Sequence, residues 1–161
     1  MLKQRVLTAV PLGLAVLALI WWLPGGWLQV AAAGAALIGA WEWAGLAGLE
    51  RLPRRLVYVL VLAGVLAALS VLDAAASPVW LLPGLLWWLA IAVWVLAQAR
   101  RSRFMRLPSG LRAGAGLITL GLAWLGIVAI HARPGDGAFW LTVVMALVWG
   151  ADVGAYFSGR A

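Results

Sequence analysis

The chain has 161 residues, 66% of them hydrophobic and only 11% charged, and twelve Lys and Arg against five Asp and Glu leave it at +7. A soluble domain runs at roughly 45–50% apolar and about 25% charged, so this composition excludes a soluble globular domain, a disordered chain and a fibrous repeat. There is no cysteine, which removes disulfides, zinc thiolates, iron–sulfur clusters and a cysteine nucleophile.

Crossing a hydrocarbon core of roughly 30 Å takes about 20 mostly apolar helical residues. Six stretches meet that need, at about residues 6–23, 27–49, 56–76, 79–99, 113–130 and 139–158. They are too long and too rich in Ala and Leu for barrel strands, and they lack the two-residue alternation. The expected fold is all-α, a polytopic helical membrane protein forming one membrane domain over residues 1–161.

In chain order, Lys3 and Arg5 precede the first span, which Pro24-Gly25-Gly26 ends. A signal peptide cleaved near Ala31 to Ala33 is a competing reading of this segment, though its apolar run is long for one. The second span carries Glu42, and Arg51, Pro53, Arg54 and Arg55 follow it. Asp73 lies near the end of the third, before Ser77-Pro78. The fourth leads into the longest polar segment, Arg100 to Arg112. The fifth ends at His131, before the turn Arg133-Pro134-Gly135-Asp136-Gly137, and the sixth holds Asp152 and is followed by Arg160. Proline and glycine therefore stand where helices must stop.

On this map eleven of the twelve basic residues fall on one side, and only Arg133 on the other. Lys and Arg collect in cytoplasmic loops, so both termini are expected inside. Topology thus accounts for the net charge, and nucleic acid is not expected as a partner. Trp21, Trp22, Trp27, Trp80 and Trp140 lie at the outer boundary, and Trp41 and Trp43 near the inner one, where amphipathic rings are favoured. Trp87, Trp88, Trp94 and Trp124 are expected on lipid-facing or helix-packing surface.

Ionisable groups inside spans are costly and often functional. Asp152 stands about eight residues before Arg160, or roughly 12 Å of helix, inside the membrane but near the cytoplasmic surface. Gly150, Gly154 and Ser158 share one small-residue face suited to helix packing. Asp152 and Tyr156 lie on the other side, where a metal or substrate could be held. The plainer reading is a structural carboxylate. Glu42, between Trp41 and Trp43, is expected at the same depth, as a ligand or as a helix-end carboxylate reaching the interface. His131 reads as structural, Asp73 as solvated, and Asp136 as a turn residue bonding its local backbone. The arginine run reads as topology, or as a site for lipid head groups or a nucleotide. No Walker loop, dinucleotide fingerprint or zinc pair is present.

Three segments carry a resemblance to a known family. They are the opening Met1-Leu2-Lys3-Gln4-Arg5-Val6-Leu7-Thr8-Ala9, the run Gly39-Ala40-Trp41-Glu42-Trp43-Ala44-Gly45-Leu46, and the run from Val148 to Arg160 that reads V-W-G-A-D-V-G-A-Y-F-S-G-R. They resemble the bacterial phosphatidate cytidylyltransferases, also called CDP-diacylglycerol synthases. Val153 stands where that family usually has threonine. The family's serine-proline-glycine-lysine-threonine loop and its later K-R-x4-K-D, H-G-G and D-R-x-D signatures are absent. The resemblance covers about the first three-fifths of a typical member, so the expectation is a truncated chain, inactive alone, whose catalytic residues are unknown.

The resemblance implies transfer of CMP from CTP to phosphatidic acid in a bacterial inner membrane, giving CDP-diacylglycerol and pyrophosphate in phospholipid biosynthesis. It implies Mg2+ as cofactor, with Asp152 as one metal ligand, and CTP, phosphatidic acid and membrane lipid as partners. Asp152, Tyr156, Arg160 and Glu42 are the candidate substrate-binding residues. A transporter or channel subunit and a non-catalytic membrane scaffold remain the alternatives. Homo-oligomerisation stays open.

Overall fold

The computed structural model describes residues 2–99 and 107–159. They form α1 (Leu2–Trp22), α2 (Gly25–Leu46), α3 (Leu52–Val71), two short 3-10 turns (Ala74–Ala76 and Pro78–Trp80), α4 (Leu81–Ala99), α5 (Ser109–His131) and α6 (Gly137–Ser158), with no strand among the described residues. One α-helix overlaps each of the six apolar stretches, but α2 is not among those long and apolar enough to cross a membrane. Leu52–Val71, Pro78–Ala99, Ser109–His131 and Gly137–Tyr156 are long and apolar enough to cross a membrane, and Ala9–Trp22 is a shorter apolar segment. The chain is an all-α, multi-pass membrane protein.

The third span is shorter than its apolar pattern suggests. Its helix ends at Val71 rather than near residue 76. Asp73 adopts the left-handed conformation at φ 47°, which Asp tolerates better than most residues. That single reversal interrupts the i→i−4 ladder, and the alanines after it form a 3-10 turn instead, with Ala76 N–H donating to the Asp73 carbonyl at 3.1 Å.

The chain divides into two compact units. One comprises Met1–Ala31 and Ile127–Ala161. Here Ile20, Leu28 and Leu141 are buried, with Val16, Ile127, Ile130 and Met145 packed against them. Removing such side chains from contact with the surroundings supplies the non-directional part of the packing, and polar bonds set its register. Trp21 Nε1 donates to Thr142 Oγ1 at 3.0 Å, and His131 Nε2 lies 3.0 Å from the Ile20 carbonyl oxygen. The indole of Trp149 lies over Gly13, where a Cβ would meet it at 3.8 Å. In the turn before α6, Asp136 accepts from Trp140 Nε1 at 2.7 Å and pairs with Arg133 at 3.3 Å. Its carboxylate thus joins two side chains, where the sequence pointed to local backbone.

The other unit is Ala32–Gly126. On α2, Ala40, Ala44 and Ala47 are all fully buried, a helical stripe whose small side chains let neighbours come close. On α3 the buried residues Tyr58, Leu62 and Leu66 repeat every four positions. Trp124 and Leu125 of α5 are buried as well. Trp87 Nε1 donates to Thr119 Oγ1 at 3.2 Å and ties α4 to α5. Trp124 is therefore a packing residue, Trp87 a half-buried joint, while Trp88 stays exposed.

Candidate functional site

The segment Gly39 to Leu46 forms the last turns of α2. Leu49 N–H reaches back to the Ala44 carbonyl at 2.9 Å and Gly48 N–H to Gly45 at 3.0 Å. With Gly48 at φ +85°, this is a Schellman closure, and it needs a residue that enters the left-handed region without a Cβ penalty. The carbonyls left over at the helix end carry its negative partial charge. Two arginines answer it. Arg112 Nη1 donates to the Leu46 carbonyl at 2.7 Å, and Arg55 Nε donates to the Leu49 carbonyl at 3.2 Å. The Arg55 guanidinium also lies 5.4 Å from the centroid of the Trp41 ring, a cation–π distance.

The same end of α2 is bonded to the start of α5. Trp43 Nε1 donates to the Arg112 carbonyl at 2.8 Å, and Tyr58 of α3 donates to the Ala113 carbonyl at 2.9 Å. Both rings lie against Gly116, where any Cβ would overlap the Trp43 indole and the Tyr58 hydroxyl. A Cβ at Gly45 would stand 2.8 Å from Arg55 Nη2. These glycines admit the groups that join the three helices. Trp43 is thus a half-buried donor at the end of α2.

Glu42 is exposed between these two tryptophans and has no partner among the described residues. Gly39 and Gly45, which share its helix, face Leu120 and Arg55. Glu42 lies in one unit and Asp152 in the other, and each belongs to its own surroundings. Sequence reasoning missed Arg55, Arg112, Tyr58 and Gly116 as members of this constellation. The one local signal was Gly48 followed by Leu49, the pattern of a helix closure whose carbonyls attract cations.

On α6, Asp152 is exposed and no described residue donates to its carboxylate. Tyr156, one turn later on the same helix, is half-buried. The small-residue face is open, since a Cβ at Gly150 or Gly154 would meet nothing within 4 Å. Ser158 Oγ instead donates to the Gly154 carbonyl at 2.8 Å, an intrahelical bond. Arg160 lies outside the described residues, as do Arg100, Arg101, Arg103 and Arg106. Asp152 and Tyr156 thus stand one turn apart on α6, and among the described residues no further carboxylate pairs with them in a metal-holding group.

No group of three or more His, Asp or Glu that could hold a metal occurs among the described residues. Magnesium takes six oxygens in near-octahedral order, and Asp152 offers one carboxylate. The described residues do not by themselves fit a resident magnesium ion, and no step is assigned to one.

Residues 3–161 match the cytidylyltransferase family. A phosphatidate cytidylyltransferase of Pseudomonas aeruginosa is 39% identical over 161 residues, covering 100% of this chain and 58% of that protein. A phosphatidate cytidylyltransferase of Haemophilus influenzae is 31% identical over 177 residues, covering 100% of this chain and 61% of that protein. The chain thus spans about three-fifths of the length of these relatives. No solved structure matches it. A match that runs from residue 3 to residue 161 places the chain in the cytidylyltransferase family.

Proposed function

We propose that the chain serves the transfer of CMP from CTP to phosphatidic acid, yielding CDP-diacylglycerol and pyrophosphate. The observation that carries this reading is the match, over the whole of this chain, to 58% of a protein of that name at 39% identity. In such a transfer a phosphate monoester oxygen attacks the α-phosphorus of CTP, the new P–O bond forms, and pyrophosphate leaves with the electron pair. One reactant is anchored in lipid and the other is a soluble polyanion. The reaction must therefore occur where a span meets the aqueous phase, and the Asp152–Tyr156 turn near the end of α6 suits that depth. Positive groups are needed to offset repulsion between the two anions.

The excess of arginine on one side of the spans supports a cytoplasmic orientation of that end and placement in a bacterial inner membrane. CTP would then be met on the arginine-rich side. A magnesium ion in the same reading would need donors beyond the single carboxylate that Asp152 offers among the described residues. The 161 residues alone present one carboxylate and one phenol on α6, so the chain by itself is expected not to turn over CTP.

The test is a CTP:phosphatidate assay on the 161-residue chain and on a protein of the relatives' full length that contains it. Asp152→Asn in the longer protein should lower turnover by about 100-fold, the scale of losing one charge-stabilising group. Turnover close to the parent would remove Asp152 from the site. Ion flux across proteoliposomes that Asp152→Asn abolishes would replace the reading with transport.

A further inference from the structure

A groove runs between α3 and α5. It has a volume of about 580 Å³, and Pro53, Val57, Val61 and Leu117 give it apolar walls. Gly110 and Gly114 also line it, and a Cβ at either would meet nothing within 4 Å. The slot is therefore open space that the protein itself leaves unfilled. Both helices are of membrane-crossing length and apolarity, so the groove faces lipid along most of its course.

One polar side chain lines it with a full charge. Arg54, in the first turn of α3, is exposed, and its side chain has no hydrogen bond or ion pair among the described residues. Its surroundings share the excess. Arg51, Arg54, Arg55 and Arg112 gather at this end, and the acids nearest them in the chain, Glu42 and Glu50, pair with none of them. The one ion pair among the described residues is Arg133–Asp136. Membrane topology explains why arginines lie on this side. It does not explain an apolar slot that runs down from an unneutralised one. An acyl chain carrying an anionic head group matches both features at once.

We propose that the α3/α5 groove holds an anionic glycerophospholipid of the adjoining leaflet, with an acyl chain along Val57 and Val61 and its phosphate at Arg54. The lipid is a resident component, and the proposal does not rest on the cytidylyltransferase reading.

The probe is dioleoylphosphatidylglycerol, titrated onto the full 161-residue chain in detergent and read by native mass spectrometry. Its phosphate is a diester and cannot accept a cytidylyl group, so binding is separate from turnover. It should bind at least about fivefold more tightly than dioleoylphosphatidylcholine, the effect of about one arginine near a membrane surface. Arg54→Gln should erase most of that preference, and Arg133→Gln should not change it. Gly114→Leu fills the slot from α5, and Val57→Trp fills it from α3. Each should lower affinity for the lipid while circular dichroism stays helical, and two variants guard against one failing to fold. Equal affinity for the two lipids would overturn the proposal. So would unchanged binding in a folded slot-filling variant, or glycerol 3-phosphate binding as tightly as the lipid.

Discussion

Trp43 and Arg112 hold each other in two ways. The indole N–H of Trp43 donates to the Arg112 backbone carbonyl at 2.8 Å, while the Arg112 side chain reaches three residues past Trp43 to the Leu46 carbonyl at 2.7 Å. The last turn of α2 and the first turn of α5 are thereby bonded by a ring, a guanidinium and two carbonyls. The tryptophan-glutamate-tryptophan run is, in this chain, a joint between helices.

Gly116 is the position where that joint tolerates least. Gly116→Ala places a methyl group on the Trp43 indole and the Tyr58 hydroxyl, and overpacking of this kind costs about 1–3 kcal/mol. Gly126→Ala, where a Cβ meets nothing within 4 Å, should leave stability within about 0.5 kcal/mol of the parent. Thermal unfolding in a single detergent compares the two directly. Equal melting temperatures would show that the three helices do not close on Gly116.

Trp43→Phe separates the ring from its N–H. The Arg112 carbonyl loses its indole donor, at about 1 kcal/mol for one net hydrogen bond. Trp41→Phe keeps an aromatic face under Arg55 and should cost less, since its indole N–H makes no described bond. Chemical denaturation of both variants gives the ordering, and a larger loss from the Trp41 change would reverse the assignment of roles.

Asp136 should matter to the turn before α6 as an acceptor more than as a charge. Asp136→Ala removes the bonds from Trp140 and Arg133 and should cost about 1 kcal/mol. Asp136→Asn keeps an acceptor for the indole and should recover much of that loss, because exposed ion pairs contribute little. Raising salt to 0.5 M, where screening is strong, should hardly move the parent protein's melting temperature. A large downward shift would mean that the ion pair dominates.

Asp152 gives a cleaner contrast between folding and function. Its carboxylate is exposed and has no described partner, so Asp152→Asn should leave the unfolding of the 161-residue chain within about 0.5 kcal/mol of the parent. A large loss of stability would identify Asp152 as a structural carboxylate.

The helices were legible because apolar length is a local signal. Pro24 and Gly25 mark the start of α2, because backbone conformation there depends on one or two residues, whereas the span expected to run to residue 49 ends as a helix at Leu46, closed by Gly48. Asp73 shows the limit, since a single left-handed residue ended α3 within an apolar run that looked continuous. The two glycines on α6 form a stripe readable from their spacing, but what lies opposite is a property of distant chain, and nothing described covers them. Arg55 and Arg112 were legible as charges belonging to one side of a membrane. That each would serve a particular carbonyl at or just past the end of α2 was not, because charge has a sign and no address. Glu42 and Asp152 looked alike as carboxylates in spans, and the structure leaves both exposed, in different units.

The closure of α2 also has a history in time. The Leu46 carbonyl is synthesised 66 residues before the arginine that bonds it. At translation rates of about 5–20 residues per second, α2 waits roughly 3–13 s for that partner. During the interval its final carbonyls can be served only by water or lipid head groups, while Arg55, six residues beyond the Leu49 it bonds, can already hold the loop just past the helix. Arg55 is thus the early clasp and Arg112 the late one, so the loop past the helix is secured first and the helix end is completed only when α5 has entered the membrane.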